Sequence, residues 1–382
     1  MSLGGSNLKT EEQIQKLVHD VVASGVYSPN MSIPQKNEWN GVQEGTVADF
    51  LSMREGDHIY FFCKRKVYGI GKLIKIAGDC IHLNFPNADV PLAENYQHLK
   101  GEAILNKTAF NLGNRFLCTF TGSPHFFKRG VDMDDLLASN PQAFKMLRVF
   151  SKLTFIKVDD EEDKAIFNML LKENEKYLDG IEGVIPLNLS IQNRIESIRD
   201  KRYDLTANEV LKLAYKKGQI AHEKAIEAAV MEMLRNKENG SLLNSWDYIS
   251  RQVIASPFKS PEYIDKMDIF GYKYISGYRP AISKFLLIEI KKDVAKKDVI
   301  HQAMKYVDWI KDEYSYGDYN QIEAYIIAKE FPQEVLEEKR LYATRTYLKG
   351  RRPPVTAKWN NLKLIEYEYD FEKGIILRDA EE

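Results

Sequence analysis

Phe285-Leu286-Leu287-Ile288-Glu289-Ile290-Lys291-Lys292 is an apolar run that ends with a carboxylate and an ammonium two residues apart. The run predicts a buried strand over Lys284 to Ile290, and the two-residue strand period turns Glu289 and Lys291 to the same side of the sheet. Downstream, Asp298 to Asp312 has helical periodicity, with Val299, Ala303, Met304, Val307 and Ile310 on one apolar face. A second apolar strand follows over Ile322 to Ala328. Strand, long helix and strand in that order predict an α/β domain.

A carboxylate beside an ammonium at a strand end suits phosphodiester hydrolysis. The carboxylate holds a divalent cation, and the lysine orients water or balances charge on the transition-state phosphate. Taken alone, Glu-x-Lys equally describes a cross-strand ion pair, so the surrounding residues decide. Upstream, Met267-Asp268-Ile269-Phe270-Gly271 places an acid at the start of an apolar stretch able to pair with the Glu289 strand, with Lys273 to Ser283 as the hairpin between them. Asp268 and Glu289 together offer hard oxygens to one Mg²⁺. Asp265 is the rival acid; Asp268 is preferred because apolar residues follow it directly, whereas Lys266 follows Asp265. On the helix expected from Ala221 to Arg235, Glu227 shares a face with Val230 and Leu234, below Glu223. An acid on an apolar stripe is costly unless paired or bound to metal, and an acid reaching water at the helix edge is the other reading. Gln302 and Lys305 lie on the helix after the strand.

These pieces, in order, resemble the PD-(D/E)xK nuclease superfamily and, more narrowly, the C-terminal domain of NucS-like endonucleases. The matching segments are Met267-Asp268-Ile269, Ile288-Glu289-Ile290-Lys291 and Gln302 to Ile310, with Ile326-Ile327-Ala328 and Leu364 to Tyr369 as later strands. The resemblance covers roughly Leu205 to Phe371 and implies a restriction-endonuclease-like fold, a mixed central sheet flanked by helices. It implies that Asp268 and Glu289 bind Mg²⁺ or Mn²⁺, that Lys291 assists the attacking water, that Gln302 supports the site and that Glu227 completes it. The sequence departs from the pattern in a long Asp268–Glu289 hairpin and in a segment from Lys339 to Arg352. That segment carries Arg340, Arg345, Lys349, Arg351 and Arg352 and no acid. It reads as a phosphate-contacting arm or as a solvated loop.

The first half has a different texture. A helix is expected over Leu8 to Val26, then β-rich chain from Trp39 to about Val158, including His58 to Cys63 and Val67 to Ile74 around the Lys64-Arg65-Lys66 turn. Val131 to Leu147 reads as helix, Leu153 to Val158 as a last strand, and the acidic run Asp159 to Asp163 as the opening of a helix, where carboxylates meet the positive dipole end. Glu55 to Phe62 with Val67-Tyr68-Gly69-Ile70-Gly71 resembles the EVE/YTH-like branch of the PUA superfamily, which implies a small β-rich α+β barrel with an aromatic pocket for a modified base. A flipped base needs such a stacking surface. Trp39, Phe126 and Phe127 are the candidates placed to face a ligand; with Tyr60 and Phe62 they are equally candidates for plain core aromatics.

The expected organisation is therefore a reader domain over 8–178, a linker over 179–204 and a nuclease domain over 205–382. A net charge of −1 excludes a global positive field, so any DNA surface is a local patch. Three scattered cysteines, Cys63, Cys80 and Cys118, fit neither a disulfide framework nor a zinc site and point to a reducing cytoplasm. No apolar run reaches the ~18 residues of a membrane span, and Met1 to Ser6 lacks the parts of a signal peptide. The expected function is a Mg²⁺-dependent endonuclease on double-stranded DNA, with modified DNA in restriction or defence as the first reading. A repair nuclease on mismatched or branched DNA and a catalytically silent binding protein are the alternatives. A homodimer would bring two sites to a duplex.

Overall fold

The computed structural model describes residues 1–4, 10–31, 38–91, 97–105, 112–149, 154–198, 200–236, 242–256, 263–350 and 352–381. It is a mixed α/β protein that divides into two compact units, Met1–Trp39 with Asp49–Glu209 and Asn40–Ala48 with Val210–Glu382.

The first unit begins with α1 (Glu11–Ser24), capped at Thr10, whose hydroxyl and Gln13 exchange hydrogen bonds with each other's backbone. It continues through β1 (Val26–Tyr27), α2 (Gly41–Leu51, shared with the second unit), β2 (His58–Cys63), β3 (Lys66–Leu73), β4 (Ile81–Leu83), β5 (Phe116–Gly122), β6 (Val131–Asp132), α3 (Met133–Ser139), α4 (Met146–Val149), α5 (Asp160–Glu173) and α6 (Ser190–Ile198). Six strands form one sheet along the path β1-β5-β3-β2, with β4 on β5 and β6 on β3. Among the described residues no strand pairing joins β2 back to β1, so the pairings do not trace a closed barrel.

Three expectations differ here. Val131 to Leu147 is β6, α3 and α4, interrupted around Pro141, whose ring cannot continue a helix. Residues 154–158 form no strand. Inside the stretch read as linker, residues 190–198 form α6 and residues 201–203 a short 3-10 turn, whose Ile195 and Tyr203 pack with Val26 and Leu117. The acidic run does open a helix: the Asp159 carboxylate accepts from the Glu161 and Glu162 amides. Glu162 turns inward, fully buried, and its Oε1 accepts from the amides of Lys145, Met146 and Leu147.

The second unit runs α7 (Asn208–Ala214), β7 (Tyr215–Lys216), β8 (Gln219–Ile220), α8 (Glu223–Asn236), β9 (Tyr248–Ile254), β10 (Lys266–Tyr274), β11 (Ile282–Ile290), α9 (Asp298–Glu313), β12 (Ile322–Ala328), α10 (Gln333–Tyr342), β13 (Arg345–Lys349), β14 (Val355–Trp359), β15 (Leu362–Asp370) and β16 (Gly374–Asp379). Its sheet has the order β16-β15-β12-β11-β10-β9. β9, β10 and β11 are an antiparallel meander, and α9 then carries the chain to β12, parallel to β11. The apolar stretches of β11 and β12, Phe285 to Ile288 and Ala324 to Ala328, are buried because strands inside a sheet covered by helices face little water. α9 buries Val299, Ile300, Ala303, Met304, Tyr306, Val307 and Ile310, the stripe its spacing predicts with two additions. All three cysteines are free and buried, and no described helix is long and apolar enough to cross a membrane.

Candidate active site

The meander brings Asp268 and Glu289 together. Ile269 pairs with Ile288, so the next position of that antiparallel register sets Asp268 beside Glu289 on one face. Glu289 is 1% exposed. Its Oε1 accepts from Lys291 Nζ at 2.7 Å, while its buried Oε2 has no hydrogen-bond partner among the described residues. Asp268 Oδ2 accepts from the Ile290 amide at 2.9 Å, and Oδ1 accepts from Gln252 Nε2 at 3.0 Å. The rival acid is elsewhere engaged: Asp265 Oδ2 accepts from Lys305 Nζ at 2.5 Å.

Glu227 is wholly buried on α8, and its carboxylate is surrounded by donors. Oε2 accepts from Arg251 Nε at 3.0 Å, and Oε1 accepts from Lys224 Nζ and, at 3.3 Å, from Gln252 Nε2. The costly acid on an apolar stripe is thus paired twice over. Arg251 finds room because Gly45 has no side chain: a Cβ there would lie 3.3 Å from its guanidinium. Gln302 Nε2 donates to the Tyr306 hydroxyl at 3.1 Å on α9, and burial with the charges of Glu289, Asp265 and Asp268 pushes that phenol up to about 12.

The electrostatics follow from crowding three carboxylates in a dry corner. Burial, then the Asp268 charge, pushes Glu289 up to about 8; burial, then the Glu227 charge, pushes Asp268 up to about 6. Burial alone would lower Lys291, but Glu289 beside it outweighs that and holds the ammonium above its usual range. The folded state therefore keeps protons on Asp268 and Glu289 that the unfolded chain releases near 3.8 and 4.5. Stability from the two groups is fully present below those values and is lost as pH rises through about 6 and then about 8. The expected result in EDTA is that the melting temperature of wild type, compared with that of Glu289→Gln, declines between about pH 5 and pH 8. Thermal melts of both proteins across that range check it; parallel curves would contradict the crowding.

Two carboxylates, one with an unpartnered buried oxygen, are a donor set that fits a hard divalent cation, since Mg²⁺ is commonly held by one or two carboxylates with waters completing its shell. Among the described residues no group of three or more His, Cys, Asp or Glu side chains is arranged to hold an ion. The fit therefore rests on Asp268 and Glu289, because Glu227 is turned to its cations.

The other sequence-predicted residues are scattered. Phe126 and Phe127 are core: Phe126 packs on Phe61 and Phe120 at ring distances of 5.4 and 6.1 Å, and Phe127 sits among Val67, Ile70 and Leu170. The loop that carries them folds back onto β3, with the Phe127 amide donating to the Gly69 carbonyl. Trp39 is buried under the Arg115 guanidinium and donates its indole N–H to the Asp89 carbonyl. The Tyr60 hydroxyl donates to Asp163, which also pairs with His58. Of the basic segment, Arg345 forms a two-bond pair with Asp308, both at 2.8 Å, and so ties the β13–β14 hairpin to α9. Arg340, Lys349 and Arg352 are exposed, and Arg351 lies outside the described residues. The sequence reading passed over Arg251 and Gln252, which nothing in the run Tyr248–Ile254 sets apart from ordinary strand residues. Compared with protein-family models, with curated proteins and with solved structures, the chain matches none.

Proposed function

We propose that this protein is a metal-dependent endonuclease that hydrolyses phosphodiester bonds of double-stranded DNA at Asp268, Glu289 and Lys291. The observation that carries the reading is Glu289: a buried carboxylate with one oxygen on Lys291, the other without a partner among the described residues, and Asp268 beside it. An unsatisfied buried oxygen costs folding free energy and calls for an explanation, which a bound cation would supply here. The α8–β9–β10–β11–α9–β12 order, an antiparallel meander followed by a parallel crossover, supports the resemblance to PD-(D/E)xK nucleases.

In this reading Asp268 and Glu289 hold Mg²⁺ or Mn²⁺. The bound ion supplies an acidified water and neutralises phosphate charge. Lys291, 30% exposed, keeps its ammonium at the mouth of the site, where it orients the attacking water and meets the developing negative charge. Gln302 and Tyr306 line the α9 side. Arg340, Lys349 and Arg352 offer exposed cations for backbone phosphates. Trp39, Phe126 and Phe127 are all buried, and this proposal assigns them no role.

The test is incubation of plasmid and phage DNA, unmodified and cytosine-modified, and of mismatched and branched duplexes, with Mg²⁺ or Mn²⁺ and with EDTA. The expected result is metal-dependent conversion of supercoiled DNA, abolished by EDTA. Cutting confined to modified DNA would add a reader; cutting confined to mismatched or branched DNA would make it a repair enzyme. Metal-independent cutting, or none on any of these substrates, would overturn the proposal and leave the fold as a scaffold.

A further inference from the structure

Gln252 occupies a position that an ordinary strand residue does not. It lies inside β9, between Arg251 and Val253, which pair with Ile269 and Met267, so it faces Asp268 across the ladder. Yet its φ is 54°, in the left-handed region. A long side chain in that region is strained, and such strain persists where the surroundings hold it. What holds it is visible: the same amide nitrogen donates to Asp268 Oδ1 at 3.0 Å and to Glu227 Oε1 at 3.3 Å. One neutral donor thus links two carboxylates that repel each other, on two different elements.

We infer that Gln252 is a positioning residue, kept in a strained backbone so that its amide joins Glu227 to Asp268 and fixes the Asp268 carboxylate for metal. The inference rests on the nuclease reading for its metal, but not for its strain. Asp268 makes few other commitments: Oδ2 is on the Ile290 amide, and Oδ1 is on Gln252. Without the amide, Oδ1 faces Glu227 with no donor between them, and the carboxylate swings away from Glu289. Glu227 keeps Arg251 and Lys224 in either case, so the loss falls on Asp268.

The substitutions Gln252→Ala and Gln252→Gly separate the two parts. Both remove the amide; only glycine also removes the left-handed strain. Mn²⁺ is titrated calorimetrically into each protein, and melting temperatures are taken in EDTA. The expected results are a Kd for Mn²⁺ raised about tenfold in both variants, as for loss of a residue that orients a metal ligand. Gln252→Gly is expected to melt about 3 °C above Gln252→Ala. A merely structural role would let affinity follow stability, whereas here the more stable glycine variant binds Mn²⁺ as weakly as the alanine one. Unchanged affinity in both variants, or an alanine variant that melts at or above the glycine one, would overturn the inference. A wild type that binds no Mn²⁺ would overturn the nuclease reading instead, and the order of the two melting temperatures in EDTA would then decide Gln252 by itself.

Discussion

Glu289→Ala is expected to abolish Mn²⁺ binding and to lower the rate of plasmid cleavage by about 10³-fold or more, the scale of losing a group that acts on developing charge. The effect should be this large because two of the neighbouring acids are already committed to cations. Asp265 is held by Lys305, and Glu227 by Arg251 and Lys224. Lys291→Ala should give a comparable loss of rate with Mn²⁺ still bound, because the ammonium contacts Glu289 through one oxygen and leaves the other available. That split between binding and rate separates the ligand from the lysine. If the two variants behaved alike in both measurements, the assignment of separate roles would fail.

Glu227→Ala is expected to be the most destabilising single change in the second unit. Glu227 is fully buried, and the cations on it, Arg251 and Lys224, have side chains only 13% and 30% exposed. Removing the acid takes from Arg251 and Lys224 the buried carboxylate they share and empties a packed volume. Removing one member of a buried pair costs about 3–5 kcal/mol, which at this size lowers the melting temperature by roughly 10 °C. Thermal unfolding in EDTA checks it. A drop of under ~2 °C would mean that the carboxylate is not the hub its hydrogen bonds describe.

The strand–helix–strand frame was legible because its signals are local. Phe285 to Ile288 is an unbroken apolar run, and Val299, Ala303, Met304, Val307 and Ile310 recur at helical spacing. The proximity of Asp268 to Glu289 was also within reach, since a hairpin between two such runs sets an antiparallel register. Gln252 was not, because left-handed backbone on a glutamine leaves no trace in residue type, unlike a glycine in a turn. Nor was the pairing of Glu227 with Arg251, which lies 24 residues away and depends on how α8 meets β9. Arg345 shows the opposite error. A cluster of cations without acids reads as free charge, but Asp308, 37 residues earlier on α9, takes one of them. Phe126 and Phe127 look solvent-facing beside Pro124, His125 and Lys128, yet the loop bends back onto β3 and turns both rings into the core.

Calorimetric titration of Mn²⁺ into wild type and Glu289→Ala at pH 8.5, above the value of about 8 to which the Glu289 carboxyl is pushed, tests the central claim without needing the right DNA. Saturable binding by wild type that disappears in Glu289→Ala is the predicted result. Equal heats in the two proteins, or none in wild type, would contradict a metal site at Asp268 and Glu289.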